Sequence, residues 1–365
     1  MRKMSAIKAT VIGKIGALLI GSAPVLFAPT PTPPKVPHGV FNLVGVGGNI
    51  NRATLTNPSV DGISLRQSWA DLEPSEGVFN WAYFDSQIAR ARAAGKSVLL
   101  RVGTGGTNVA KGGNKAQWLF DSITAAGGTF VVVNDGGKNK SIPVFWDATL
   151  IAKTKDMIDA LGARYTGNPA VKIVNVAVVN ANTNDWSCPD ASADIINWQA
   201  AGYTSQKVID AGCPASSSAK KGLIDKMMAA FPNQIVCMSI GRNSLKLDPL
   251  GKGYVATTMV NNARAKYPGR LVVEMNNLSA KVEPAPGTGT LYQLIWHLRP
   301  CGWQMLWSTF GDPTFRDNGG IPADPATVLT ESVNIGVGYE GNYIEIYEKD
   351  AINLPAVIDY AHSVL

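Results

Sequence analysis

The chain is poor in cysteine and histidine, and several common catalytic motifs are missing from it. Its 365 residues include 4 Cys and 3 His, and the histidines stand far apart. No CxxC pair and no Cys/His spacing typical of zinc occurs, so we expect no metal site. The phosphate loops GxGxxG and GxxxxGK followed by Ser or Thr are missing, as is the GxSxG elbow. We therefore expect no nucleotide chemistry, no serine-hydrolase triad and no cofactor.

Charge is nearly balanced over most of the chain. The sequence has 33 Lys and Arg against 27 Asp and Glu, but four of these bases and none of the acids lie in residues 1–28. No basic stripe is left elsewhere, so we expect no nucleic-acid partner. No later segment is apolar enough to predict a membrane span.

The N-terminus is typical of a secretory signal peptide. In residues 1–28 the four bases precede or flank the apolar run IGALLIGSAPVLFA. The run is short and interrupted by Gly and Pro, and an uncleaved anchor is the alternative. Residues 29–37, PTPTPPKVP, predict a stiff linker. We expect a secreted, periplasmic or cell-surface protein.

The cysteine spacing is consistent with one disulfide in an exported chain. Cys188-Pro and Cys213-Pro bracket a long polar segment, and a bridge between them would contribute roughly 3 kcal/mol to stability. Four cysteines allow three pairings, which the sequence does not distinguish. Cys237 lies in an apolar run and is expected to be a buried thiol.

Eight apolar, β-branched runs alternate with helical patterns from residue 38 onward. They occupy 40–47, 62–69, 97–103, 171–180, 234–240, 270–277, 302–308 and 343–347. Most segments between them have helical spacing of apolar residues, as in WAYFDSQIARARAAG. This alternation predicts an α/β fold, a single-domain (β/α)8 TIM barrel over residues 38–365. The first crossover, 48–61, is short for a helix.

Two of the predicted strand-to-helix loops are long, one after strand three and one after strand four. Residues 104–146 predict a short helix and then a hairpin that turns at NDGGKNK. Residues 181–217 form a polar segment. Both follow the carboxyl ends of strands, which is the face that carries function in this architecture.

Two segments resemble the large (β/α)8-barrel clan of retaining glycoside hydrolases, which includes microbial β-galactosidases and cellulase-like enzymes. RQSWADLEPSEGVFNWAYFDSQIARARAAGKSVLLRV (66–102) resembles the clan's second and third strands. IPVFWDATLIAKTKDMIDALGARYTGNPAVKIVNVAVV (142–179) resembles the approach to strand four. The resemblance implies an enzyme that cleaves O-glycosidic bonds with a pair of carboxyl groups.

The clan's acid/base is a Glu that directly follows an Asn at the end of strand four. This chain has Asn184-Asp185 there, so the resemblance makes Asp185 the general acid. Asn184 would hold a sugar hydroxyl or orient the acid. Asn and Asp also bond their own backbone in turns, and this structural interpretation stays open.

The clan's nucleophile is a Glu at the end of strand seven, and the chain departs from the clan there. Strand seven, GWQMLWS, contains no Glu, and Gln304 or Ser308 takes its place. Glu274 in strand six and Glu345 in strand eight are the candidates for base or nucleophile. Each lies among β-branched or aromatic residues, where a carboxylate is usually paired with a base or lines a cavity.

Arginines on the predicted strands are candidate partners for these carboxylates. They are Arg66, Arg101 and Arg242, on strands two, three and five. In the clan the strand-two Arg supports the nucleophile, and Arg66 matches that position. A structural ion pair inside the barrel is the alternative.

Aromatic and amide side chains at strand ends are the predicted sugar-binding groups. Sugar rings have flat C–H faces that pack on exposed indoles. Core packing and turn capping are the competing interpretations. The predicted substrate-binding residues are Arg66, Trp69, Asn180, Asn182, Asn184, Trp186, Asn276, Gln304 and Trp307.

The resemblance predicts an exported glycoside hydrolase that acts on an oligo- or polysaccharide. The departures at both catalytic positions favour a second hypothesis, a catalytically silent barrel that binds carbohydrate at the cell surface. Two carboxyl groups facing one another across a cleft would support the enzyme. A cleft lined by Trp and Asn, with at most one carboxylate, would support the binder.

Overall fold

A computed structural model describes residues 34–103, 116–135, 138–175, 192–240, 253–287, 291–310, 317–318, 321–322 and 324–365. The strands, numbered along the chain, are β1 (Gly39–Leu43), β2 (Gly62–Ser68), β3 (Ser97–Gly103), β4 (Phe130–Asp135), β5 (Lys138–Pro143), β6 (Val171–Asn175), β7 (Ile235–Ser239), β8 (Leu271–Leu278), β9 (Cys301–Met305), β10 (Asp317–Asn318), β11 (Ile321–Pro322) and β12 (Gly341–Tyr347).

Eight of these strands are parallel and close into a barrel. Round the ring they run β1, β2, β3, β6, β7, β8, β9 and β12. The first and last strands close the ring, with Val40 opposite Ile344. The predicted (β/α)8 barrel is confirmed, and each predicted apolar run overlaps one barrel strand. The predicted hairpin is also present, as the antiparallel pair β4 and β5.

Helices lie between the barrel strands and follow the last of them. They are α1 (Arg52–Thr56), α2 (Trp69–Leu72), α3 (Ala82–Ala93), α4 (Gln117–Ala125), α5 (Ala148–Tyr165), α6 (Ser192–Ala200), α7 (Ser205–Gly212), α8 (Leu223–Ala230), α9 (Tyr254–Lys266), α10 (Leu291–His297), α11 (Pro325–Gly338), α12 (Glu348–Asn353) and α13 (Pro355–Val364). The predicted short helix before the hairpin is α4. The polar segment also contains α6 and α7, which the sequence did not predict.

Local signals set several helix boundaries. Asp147 begins α5 by accepting a hydrogen bond from the Leu150 amide at 2.9 Å. Asp324 caps α11, whose first residue is a proline that lacks the amide a helix start would leave unpaired. As the short first crossover predicted, α1 has only 5 residues. In the described part of the chain, no helix combines the length and apolar character needed to cross a membrane.

The barrel interior changes from apolar to polar towards the carboxyl ends of the strands. Alternate residues of each strand point inward. An apolar cluster fills the part of the interior nearer the amino ends of the strands. It includes Phe41, Leu99, Ile173, Ile235 and Val272. Two residues further along three of these strands come Arg101, Asn175 and Glu274, all buried. The polar layer therefore follows from the period of two.

Two glycines make room for aromatic rings inside the barrel. A Cβ on Gly302 would lie 2.1 Å from Cζ of Tyr343, and a Cβ on Gly62 would lie 2.3 Å from Cε1 of Phe41. Both distances are far below van der Waals contact. The Tyr343 ring therefore lies over the backbone of β9, and its hydroxyl reaches the polar layer.

The predicted disulfide between Cys188 and Cys213 is not supported. Cys213 is a free, buried thiol, and burial raises its pKa to about 11. Its Sγ lies 4.0 Å from Oδ1 of Asp225, which also pairs with Lys266. Cys188 lies outside the described residues. Cys237 is a buried free thiol, as its apolar surroundings predicted.

Candidate active site

Two buried glutamates share one arginine inside the barrel. Nη2 of Arg101 lies 2.5 Å from Oε1 of Glu274 and 2.7 Å from Oε2 of Glu345. Both carboxylates are 0% exposed. The three side chains come from β3, β8 and β12, so the barrel brings together residues that are 173 and 244 positions apart. We call this group the Arg101 cluster.

Further donors converge on Glu274. The Tyr343 hydroxyl donates to its Oε2 at 2.8 Å, and the Ser239 hydroxyl donates to its Oε1 at 3.2 Å. Nδ2 of Asn175 in turn donates to the Ser239 hydroxyl at 2.7 Å. Charge-assisted hydrogen bonds of this kind are stronger than neutral ones. Glu274 therefore accepts hydrogen bonds from residues of three barrel strands, and Asn175 on a fourth strand orients one of these donors.

Burial and charge set the protonation of the cluster. Burial raises the pKa of Glu345 to about 7; Arg101 opposes this rise, and the nearby Glu274 adds to it. Burial by itself would lower the pKa of Arg101, but the two glutamates hold it well above its ordinary value. Near neutral pH the cluster thus holds a guanidinium together with a glutamate that readily gains or loses a proton.

The geometry limits what the two glutamates do to a sugar. One oxygen of each carboxylate bonds to the same Arg101 nitrogen, at 2.5 and 2.7 Å. The separation of these two oxygens therefore cannot exceed the sum of the two distances. A retaining pair has a similar separation, roughly 5–5.5 Å. Here, however, the Arg101 nitrogen bonds to both and lies between them. A glycosidic bond therefore cannot lie between Glu274 and Glu345, and any second carboxyl group must come from another strand.

Gln304 and Ser308 are the two residues that the resemblance offers for the position of the clan's nucleophile, and Gln304 is the one inside the barrel strand. It lies on β9 directly opposite Glu345 of β12 in the sheet register and is almost fully buried. Arg66, which the resemblance pairs with the nucleophile, has a different contact. Its Nε donates to the backbone carbonyl of Val44 at 2.9 Å. The arginine that holds the carboxylates is instead Arg101, its neighbour in register on β3.

The mouth of the barrel carries an exposed indole. Trp307 lies two residues beyond the end of β9, and 42% of it is exposed. The loop that bears it is tied to α12, because Asp350 accepts bonds from the Ser308 hydroxyl at 2.9 Å and from the Thr309 amide at 3.0 Å. Asn276 lies two residues beyond Glu274 on β8, nearer the mouth, and is partly buried.

The structure places Trp69 in the core. It is 1% exposed, and its indole nitrogen donates to Oε2 of Glu73 at 2.6 Å. Its ring meets Trp118 edge-on, with centroids 5.8 Å apart. The prediction that Trp69 stacks on a sugar is therefore wrong, because no face of the ring is open. Glu73 also accepts from the Gly77 amide, which makes it a turn residue as expected.

Several predicted site residues lie outside the described residues. They are Asp185, the predicted acid, together with Asn180, Asn182, Asn184, Trp186 and the candidate partner Arg242. Their roles stay predictions.

Tyr343, Ser239 and Asn175 were missed from the sequence. A signal was present, because Tyr343 stands two residues before Glu345 and therefore faces the same side of its strand. The alternation of residues along each strand shows which side chains point into the barrel. It does not show which residues of distant strands lie at the same level along the barrel axis and can therefore contact one another.

Comparison with known proteins is consistent with this architecture. Residues 55–211 match the model of glycoside hydrolase family 42, described as β-galactosidase. Both segments that resemble the barrel clan lie within this match. No curated protein matches the chain.

Solved glycoside hydrolases share the fold. The catalytic domain of a β-amylase from Paenibacillus polymyxa superposes with a TM-score of 0.52 at 12% identity, over 88% of this chain and 94% of that one. A GH10 endoxylanase from a sugarcane soil metagenome gives 0.48 at 13% identity, over 85% of each chain. The chain thus resembles the (β/α)8 glycoside hydrolases in fold and in part of its sequence.

Proposed function

We propose that this glycoside-hydrolase-like barrel is an exported enzyme that cleaves O-glycosidic bonds of a glycan at the carboxyl ends of its strands. The observation that supports it is the Arg101 cluster, a pair of buried carboxylates that share one arginine inside the barrel. Export rests on the signal-like residues 1–28, outside the described part of the chain.

The hydrogen bonds and the protonation of the two glutamates suggest a different role for each. Glu345 is the proposed general base, because a group with a pKa of about 7 accepts a proton efficiently near neutral pH. Glu274 is a positioning residue, because its oxygens are already bonded to Arg101, Tyr343 and Ser239. Asp185 at the end of the fourth barrel strand is the proposed general acid.

The resulting reaction is an inverting hydrolysis. Asp185 would protonate the glycosidic oxygen as the bond to the anomeric carbon breaks. A water molecule would attack that carbon from the opposite face and give its proton to Glu345. The products are a hemiacetal and a free hydroxyl, and the proton lost by Asp185 is balanced by the one gained by Glu345.

The burial of the cluster also favours a second function. Glu345 is fully buried, and a sugar must come within hydrogen-bonding reach of a catalytic carboxylate. With Gln304 in the place of the clan's Glu, the chain would then be a carbohydrate-binding barrel at the cell surface that does not hydrolyse its ligand. Trp307 would serve either function as a platform for a sugar ring.

Hydrolysis of a broad panel of polysaccharides and aryl glycosides separates these two functions. The purified protein is incubated with each member, and released reducing sugar is measured for the wild type and for Asp185→Asn, Glu345→Gln and Glu331→Gln. Glu331 is an exposed residue of α11 and serves as the control.

If the protein is a hydrolase, the wild type should release reducing sugar from at least one member of the panel. The rate of release should fall 10²–10⁴-fold or more in Asp185→Asn and in Glu345→Gln, but not in Glu331→Gln. The anomer released first, followed by proton NMR, is expected to be inverted. Absence of release across the panel, with retained binding to one glycan, would leave the silent barrel as the function.

A further inference from the structure

Arg66 has an incompletely used guanidinium at the mouth of the barrel. It lies on β2 at a position that faces the interior, and it is partly buried. Its Nε donates to the carbonyl of Val44. Within the residues that the structure describes, its two terminal nitrogens have no hydrogen-bond partner and it forms no ion pair. Four of its five N–H donors are thus available.

This arrangement costs free energy unless a ligand repays it. Burial lowers the pKa of Arg66, and the neighbouring Arg101 lowers it further, while Tyr347 acts in the opposite direction. A partly buried guanidinium that has no counter-ion among the described residues is less stable than one paired with a carboxylate. A purely structural arginine at this place would be expected to pair with Glu345, yet the glutamate bonds to Arg101.

The two phenols near Arg66 have their hydroxyl protons bonded elsewhere. Tyr83 and Tyr347 lie close enough to influence its pKa. The Tyr83 hydroxyl donates to the carbonyl of Gly48 at 3.0 Å, and that of Tyr347 donates to the carbonyl of Leu306 at 3.3 Å. Both phenol protons are therefore directed at the backbone.

Tyr347 also links Arg66 to the proposed sugar platform. Leu306, whose carbonyl accepts the Tyr347 proton, directly precedes the exposed Trp307. The apolar face of the Trp307 indole and the terminal nitrogens of Arg66 thus belong to neighbouring parts of the barrel mouth. This pairing suits a sugar ring that bears a negative group.

We propose that Arg66 binds an anionic substituent of the glycan, the carboxylate of a uronic acid or a sulfate ester. The planar guanidinium fits either group with two parallel hydrogen bonds. A neutral hydroxyl would use one donor and leave the charge uncompensated. The inference rests on the carbohydrate ligand of the proposed function but not on hydrolysis.

The charge balance of the interior permits this. The charged or titratable groups that influence Arg66 are Tyr347, Arg101, Glu345 and Tyr83. Both glutamates bond to Arg101, and burial raises the pKa of Glu345. Neither glutamate pairs with Arg66, so the charge of Arg66 is left for an anion of the ligand to pair with.

Binding to matched polysaccharides tests the proposal. Polygalacturonate, alginate and glucuronoxylan are each compared at pH 6 with their carboxyl-reduced forms, and dextran sulfate is compared with dextran. Affinities are measured for the wild type, Arg66→Gln, Arg66→Lys and Arg92→Gln. Arg92 is an exposed residue of α3 and controls for unspecific attraction of polyanions.

The expected result is that one acidic polymer binds at least tenfold more tightly than its neutral form. The preference should be lost in Arg66→Gln, reduced in Arg66→Lys and unchanged in Arg92→Gln. The uronate and sulfate arms then identify the anion. Because the preference is first measured in the wild type and Arg66→Lys keeps the charge, the test does not depend on the folding of Arg66→Gln.

Three results would overturn the proposal: no binding to any member, equal binding to acidic and neutral forms, or a preference that survives Arg66→Gln. Reducing sugar is measured in the same samples. Hydrolysis of neutral and acidic forms alike would uphold the proposed enzyme and contradict the role of Arg66. Selective binding without hydrolysis would uphold the role of Arg66 and contradict the enzyme.

Discussion

The titration of Glu345 should make the stability of the barrel depend on pH. In the folded chain its pKa is raised to about 7, from an ordinary value of 4.5, chiefly by burial. The fold therefore favours the protonated form. Stability from this group is fully present below the unfolded pKa and is lost as pH rises through the folded value. Glu345→Gln keeps the shape of the side chain and removes the titration.

The magnitude follows from the same two values. Each unit of pKa corresponds to about 1.4 kcal/mol, so the rise from 4.5 to about 7 amounts to about 3 kcal/mol. The wild type should lose about this much stability relative to Glu345→Gln between pH 4 and pH 8. The loss should be steepest between the two pKa values and should level off above the folded one.

Urea unfolding at half-unit pH intervals from 4 to 8.5 measures this difference. The free energy of unfolding is compared between the wild type and Glu345→Gln, with Glu331→Gln as the control. The control curve should parallel that of the wild type, because Glu331 is exposed. Parallel curves for the wild type and Glu345→Gln, within about 0.5 kcal/mol, would show that folding does not shift the pKa of Glu345 and would refute the reasoning.

Three further predictions concern packing, the mouth and the cysteines. Gly302→Ala places a Cβ 2.1 Å from the Tyr343 ring and should destabilise the barrel by roughly 1–3 kcal/mol in urea unfolding; an unchanged midpoint would contradict the close approach. Asp350→Ala removes the acceptor that ties down the Trp307 loop, so glycan affinity should fall more than global stability does, as titration calorimetry and thermal unfolding together would show. Reducing agent should leave the Tm unchanged, and Cys213 should react with a thiol reagent only after unfolding. A lower Tm on reduction would be evidence for the disulfide between Cys188 and Cys213.

The fold was largely predictable because it depends on local patterns. The period of two along each strand and the helical spacing between strands are properties of short segments, and a segment such as β3 carries its pattern within itself. The hairpin of β4 and β5 was predictable for the same reason, through its turn residues. The helices α6 and α7 were missed because they are short, with 9 and 8 residues, and because the segment between Cys188 and Cys213 was interpreted as one polar loop.

The site was less predictable because it depends on where strands meet. Glu274 and Glu345 were correctly expected to have a basic partner, since an isolated buried carboxylate is costly. Trp69 was placed at a sugar site on its position at a strand end, but a helix turn directs its ring into the core. Exposure is a property of the packed chain and not of sequence position.

The amino-acid sequence by itself determined that this chain forms a (β/α)8 barrel with a polar layer at the carboxyl ends of its strands. Only the tertiary structure decided which arginine serves the carboxylates. Arg66 and Arg101 occupy equivalent places on neighbouring strands and lie opposite one another in register. The stagger of the closed barrel sets which of them reaches β8 and β12, and that stagger is fixed by closure of the whole ring rather than by any single segment.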